Sequence, residues 1–313
     1  MTPDPRVHVT LQHLRGLQGP ARGLSFLPRS SSTSALSGRH ATRLRGRGLN
    51  FEEMRNYLPG DDIRMIDWKA TARTGTPYVR VFTEERDRQA LLVVDQRMTM
   101  YFGTRLNLKS VTAAEAAAIV AFQILEAGDR VGGIVFDDER QIELVPRRSL
   151  KSVHALLQTI SDFNMGLHAD RAVEAAPAGL NQVLRSVARL SHHDHLVMIF
   201  SDFSGIDETT HRHLSRLAAH NDLVLMLVFD PSAEGLSGDQ QLVIGDSQMQ
   251  AEVNLGAAGT REALTAFSRA RLDRIRQWQN EINLSVLSLS AGEETLPQIR
   301  QQMGRLAPRR RVR

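Results

Sequence analysis

The sequence predicts an α/β fold: a doubly wound, mainly parallel sheet with an irregular N-terminal extension. Two observations carry this prediction. Short apolar runs, QALLVVD (89–95), HLVMIFS (195–201) and LVLMLVF (223–229), each end at or just before an acid, Asp95, Asp202 or Asp230. Such runs mark strands buried on both faces. Between them lie stretches with helical spacing, and strands alternating with helices imply parallel order through right-handed crossovers. Sheets of this kind bind ligands beyond the carboxyl ends of their strands, where the strand order reverses. Asp95 and Asp202 are predicted to stand there.

In chain order, residues 7–18 have the spacing of a short helix, and a Gly-, Ser- and Arg-rich arm then runs to residue 50. Residues 51–88 are dense in charge of both signs, with Tyr57, Trp68 and Phe82 interleaved. No period of 2 or 3.6 emerges, so this segment reads as irregular structure packed on the core. The main domain is predicted over 89–306. It opens with the strand 89–95, then a helix over 109–127 with Glu115 near its apolar stripe, stopped by Gly128. Strands at 131–136 and 142–145 and helices at 149–160 and 180–190 precede the strand 195–201. A helix at 211–219, the strand 223–229, a polar hairpin within 241–253, a helix over 261–281, a strand 284–289 and a helix 296–306 complete it. A basic tail, 307–313, closes the chain.

Composition narrows the function classes. Of 313 residues, 42% are hydrophobic and 24% charged, which suits a filled globular core. The absence of cysteine excludes disulfides, thiolate zinc sites and cysteine nucleophiles. A formal charge of +4 arises from 39 basic and 35 acidic residues, a surplus too small to indicate nucleic acid by itself. The longest apolar run, 223–229, is far short of the roughly 20 residues that span a bilayer. The start MTPDPRVHVTLQHLRGLQ lacks the apolar stretch of a secretory signal. A cytoplasmic protein is expected.

Four segments carry a family resemblance: GRGLNFEEMRNYLPGDDIRMIDWKATARTGTPYVRVFTEERDR (46–88), VVDQRMTMYFG (93–103), GDRVGGIVF (128–136) and IFSDF (199–203). Together they resemble a family of uncharacterised bacterial proteins with a von Willebrand factor A-like domain, typically encoded beside MoxR-type AAA+ ATPases. The resemblance implies a six-stranded sheet and an adaptor role. It also implies a metal-ion-dependent adhesion site, D-x-S-x-S, assisted by a Thr and an Asp from later loops and holding Mg²⁺ through oxygen ligands. Here the loop reads Asp95, Gln96, Arg97, Met98, Thr99, with a guanidinium where the first serine belongs, and residues 164–181 contain no Ser or Thr. A guanidinium cannot ligate a cation. The metal candidates are therefore Asp95, Thr99 and Asp202. The expectation is a degenerate site without a bound metal, in which Arg97 takes the cation's place and pairs with one or both acids. The simpler alternative is that both acids only cap the following helices.

The block Arg55, Asp61, Asp62, Arg64, Asp67 and Trp68 reads as a salt-bridged knot and as a partner-binding surface, two roles that can coexist, with Trp68 as a packing anchor. His192, His193, His195, His211 and His213 lack zinc spacing and read as exposed polar residues. Arg43, Arg45, Arg47 and the tail Arg309, Arg310, Arg311 and Arg313 read as a solvated arm and tail rather than phosphate contacts. No P-loop or nucleophile elbow is present, so ATP hydrolysis would belong to a partner. The expected function is a non-enzymatic binding module whose crevice of Asp95, Arg97, Thr99 and Asp202 meets a client or a MoxR-type ATPase. The alternatives are a Mg²⁺-dependent phosphoester hydrolase and a nucleic-acid-binding protein.

Overall fold

The computed structural model describes residues 4–22, 49–59, 61–84, 87–169, 179–231, 241–246, 249–254, 271–282 and 284–304. The chain divides into two units, Pro28–Asp87 and the remainder, Met1–Leu27 with Arg88–Arg313. Val9, Leu14 and Ala21 explain why the first described residues belong to the larger unit, because all three are buried in its core. Val9 precedes α1 (Leu11–Gly16), which is capped by the Thr10 hydroxyl and carries Leu14, and α2 (Gln18–Ala21) carries Ala21. The helix predicted over 7–18 is thus shorter and is followed by a separate turn of helix.

In the smaller unit, β1 (Leu49–Asn56) and β2 (Tyr78–Glu84) form an antiparallel ladder, with α3 (Trp68–Thr74) between them in sequence. This corrects the reading of 51–88 as irregular. The ladder's register shifts between Phe51 and Glu53. One inserted residue turns every later side chain to the other face, which erases the period of 2 that reveals a strand. Asp67 starts α3 by accepting the Lys69 and Ala70 amides, each at 3.0 Å, and Gly75, at φ 75°, ends it. Arg55 donates two bonds of 2.7 Å to Asp61, which also accepts the Leu58 amide at 2.8 Å. Asp62 accepts the Arg64 amide at 3.0 Å. Among the described residues the expected knot contains one forked ion pair, and Asp62 and Asp67 accept backbone amides. Trp68 does not anchor packing; it is exposed.

In the larger unit, the apolar runs become β3 (Gln89–Asp95), β4 (Arg130–Phe136), β6 (Leu196–Ser201), β7 (Asp222–Phe229) and β10 (Leu284–Ser290). With β5 (Gln141–Arg147) they form one six-stranded sheet in the order β10-β7-β6-β3-β4-β5, parallel except for β5. Alternate side chains feed two cores. Leu92 and Val94 pack with α1, α4 (Lys109–Glu126), α5 (Leu150–Met165) and α9 (Thr295–Gly304). Leu91 and Val93 pack with α6 (Leu180–Leu190), α7 (Glu208–Ala218) and α8, described over 271–281. Burial on both faces is why β3, β4, β6 and β7 show no alternation, whereas β10, at the edge of the sheet, is half-buried at Ser285, Val286 and Ser288. The polar stretch 241–253 forms the antiparallel hairpin of β8 (Gln241–Asp246) and β9 (Met249–Asn254).

The predicted strands and helices lie close to their expected places. α5 runs on to Met165 because Phe163 and Asn164 are buried. Gly128, at φ 91°, ends α4 as expected. The GDRVGG glycines serve packing, since a Cβ on Gly133 would stand 2.3 Å from the Leu92 carbonyl oxygen. Residues 261–270 of the expected helix, and the arginines at 43, 45, 47, 309, 310, 311 and 313, lie outside the described residues. Among the described residues, no helix is long and apolar enough to cross a membrane.

The chain runs from β3 to β4 and β5, then returns to lay β6 on the other side of β3. Strand order therefore reverses between β3 and β6, the position where open parallel sheets gather their ligands.

Candidate functional site

Asp95 ends β3, and Asp202 immediately follows β6, so the pairing of these two strands places both acids at the reversal point. Both are buried. A buried carboxylate needs a cation or several donors, and each acid has its own. Arg97 lies against Asp95: Nη2 donates to Oδ2 at 2.7 Å, and Nε reaches Oδ1 at 3.0 Å and Oδ2 at 3.1 Å. Ser201 Oγ adds a bond of 2.6 Å to Asp95 Oδ2. Asp202 Oδ2 accepts from Lys109 Nζ at 2.5 Å, with Arg271 at 3.9 Å.

The expectation that Arg97 pairs with an acid holds for Asp95, while Asp202 takes Lys109. Arg97 Nη1 turns instead to the Ser204 carbonyl at 3.3 Å. The capping alternative fails, because the helices that follow are capped at Leu108 and Asp207; each acid instead accepts the amide two residues on, Asp95 from Arg97 at 3.0 Å and Asp202 from Ser204 at 2.9 Å, besides its ion pair. Lys109, Ser201, Ser204 and Arg271 were not anticipated. The one available signal was Lys109, a long cation at the first turn of the helix that follows the Asp95 loop.

The surrounding loops are tightly held. Phe203, at φ 53°, adopts a backbone conformation that a bulky side chain avoids; its buried ring and the bond from its amide to Ser201 Oγ, at 2.9 Å, keep it there. Met98 N donates to Asp138 at 2.7 Å. Gln96 donates to the Ser110 carbonyl at 3.1 Å and accepts from Asn164 at 3.0 Å, and Asn164 in turn accepts the Val9 amide at 2.8 Å. The N-terminal segment is thereby tied to the Asp95 loop through buried hydrogen bonds. Thr99 Oγ1 is buried and has no partner among the described residues.

Burial opposes the charge on Arg97, but the Asp95 carboxylate beside it, with Asp202 and Asp138 beyond, raises its pKa above the ordinary guanidinium value. Burial likewise opposes the charge on Asp202, yet Lys109, then Arg271 and Arg97, hold its pKa down at about 2. A carboxylate with a native pKa below its unfolded one stabilises the fold above the unfolded value and loses that contribution as pH falls toward the native value. Between about pH 4 and pH 2, wild-type stability should therefore drop by about 2 kcal/mol more than that of Asp202→Asn. Denaturant titrations at constant ionic strength measure this, and coincident acid limbs would contradict it.

A Mg²⁺ ion would need free oxygen ligands at about 2.0–2.1 Å in octahedral array. Both Asp95 oxygens are committed to Arg97, and those of Asp202 to Lys109 and the Ser204 amide. Thr99 contributes one hydroxyl, and two buried cations stand beside the acids. The donor set does not fit such an ion. Nor, among the described residues, are three or more His, Asp or Glu side chains grouped to hold a metal. His192 and His193 are exposed as expected, but His195 is buried against the His193 carbonyl at 2.7 Å, which corrects its reading as an exposed residue. His211 and His213 are half-buried. Arg55, Asp61, Asp62, Arg64, Asp67 and Trp68 belong to the smaller unit.

Comparison with known proteins places this chain among others of similar sequence. A family model described as protein of unknown function DUF58 matches residues 53–274. Uncharacterised proteins of Mycobacterium bovis and Mycobacterium tuberculosis are each 29% identical to it over 236 residues, covering 74% of this chain and 71% of theirs. That span takes in most of the signature segment, five strands of the six-stranded sheet and both strand-tip acids, and the chain belongs to the DUF58 family.

Proposed function

We propose that the chain is a non-enzymatic, cytoplasmic protein-binding module that acts with a MoxR-type AAA+ ATPase in assembling or maturing a client complex. Its binding edge is the carboxyl end of the sheet at β3 and β6, a degenerate metal-ion-dependent adhesion site in a von Willebrand factor A-like domain. The observation that supports this reading best is the internal neutralisation of both acids, Asp95 by Arg97 and Asp202 by Lys109. A metal-dependent phosphoesterase needs an open coordination position, and here the cations of the site belong to the protein. Ser201 Oγ is occupied by Asp95 and the Phe203 amide, with no histidine beside it in its hydrogen bonds, so it lacks the base that activates a nucleophile. The ATPase as partner rests on the resemblance of the 46–88 signature.

The test is co-purification of the tagged chain from its host in gentle salt. A AAA+ ATPase should co-elute with the wild type and be depleted at least fivefold with Arg97→Met, provided that variant remains folded at the assay temperature. Recovery of no such ATPase would sink the reading.

A further inference from the structure

The smaller unit sorts its charges. All the carboxylates between residues 57 and 79 are engaged locally: Asp61 by Arg55 and the Leu58 amide, Asp62 by the Arg64 amide, and Asp67, buried, by the amides that begin α3. The cations of the same stretch are left to solvent. Arg64, Lys69 and Arg73 are exposed and form no ion pair with any described residue.

Apolar side chains are left out with them. Of the nine large hydrophobic residues exposed among the described residues, four lie between positions 54 and 68: Met54 at 45%, Leu58 at 58%, Ile63 at 61% and Trp68 at 65%. Single exposed apolar side chains are ordinary; four within one short stretch are a concentration. On α3 the exposed positions are Trp68, Lys69, Ala72 and Arg73, whereas Ala70 and Thr71 are half-buried. Positions four apart are neighbours on a helix, so Trp68 with Ala72 and Lys69 with Arg73 form two adjoining rows on the exposed side of α3.

We infer that this face receives an acidic segment of a partner protein, one that alternates carboxylates with aliphatic side chains. Carboxylates meet Arg64, Lys69 and Arg73, while aliphatic groups cover Trp68, the residue type that most often dominates such contacts. Single-stranded nucleic acid would instead use a row of aromatic platforms, and the other exposed apolar side chains here are aliphatic. The inference rests on the binding-module reading only in that the partner is a protein. It requires neither the strand-tip cleft nor the ATPase.

The experiment uses the full chain labelled with 5-fluorotryptophan, which gives one ¹⁹F resonance for exposed Trp68 and one for Trp278, buried in the core of the larger unit. Three fluorescein-labelled peptides of 16 residues share one leucine spacing and carry Glu, Lys or Ser between the leucines; a 16-nucleotide polyuridine is the fourth probe. The Glu peptide should bind, shift the Trp68 resonance and leave that of Trp278 in place. Lys69→Glu with Arg73→Glu should weaken it at least tenfold, as should Trp68→Ala, while Lys69→Arg with Arg73→Lys retains it. Equal binding of the Ser peptide, binding of polyuridine as tight or tighter, or binding of no probe would each overturn the inference. Loss of the ATPase in co-purification with the Glu peptide still bound defeats only the strand-tip reading. The reverse outcome defeats only this one.

Discussion

Arg97→Met should lower the stability of the larger unit by about 3–5 kcal/mol, the cost of leaving a buried charge without its partner. Asp95 would keep the Ser201 hydroxyl and one amide but lose the forked guanidinium. At this domain size the loss corresponds to a fall in Tm of roughly 6–20 °C. Arg97→Ser should be destabilised to a similar degree and differ in one respect: it restores a hydroxyl beside Asp95 and removes the cation. Added Mg²⁺ or Mn²⁺ should then recover part of the lost Tm in Arg97→Ser, by preferential binding to the folded state. The wild type and Arg97→Met should not respond. A wild-type rise in Tm with millimolar Mg²⁺ that vanishes in Asp95→Ala would show that the cleft takes a metal despite Arg97.

Lys109→Met removes the other cation, and its expected cost lies near the lower end of the same range of about 3–5 kcal/mol, because Arg271 remains 3.9 Å from Asp202. The sharper test is the double variant with Asp202→Asn. If the two groups stabilise the fold as a pair, the double variant should lose less than the sum of the single losses, by about 2 kcal/mol or more. Additive losses would show that Lys109 acts through packing, for instance over the Phe102 ring at 5.9 Å, rather than through the carboxylate.

The two cations differ in how legible they were. Arg97 lies two residues from Asp95 on one loop, so the pairing could be read locally, once the resemblance implied a hydroxyl where Arg97 stands. Lys109 lies 93 residues from Asp202; its place in the first turn of α4 puts a cation near the Asp95 loop, but nothing in the sequence pairs it with Asp202. The smaller unit gave a weaker signal for a different reason: the shift between Phe51 and Glu53 broke the alternation of β1. Trp68 was read as buried because large aromatic residues usually are, yet α3 turns it outward beside Lys69 and Arg73.

Periodicity and composition alone determined the α/β class, the doubly buried strands β3, β6 and β7 and the presence of an acid at the tips of β3 and β6. These features are local, because burial on both faces of a strand writes itself into consecutive residues. Tertiary structure alone decided which cation neutralises which acid and which charges of the smaller unit stay in solvent. A long-range ion pair depends on the return of the chain from β5 to β6 across β3, and no run of neighbouring residues records that crossing.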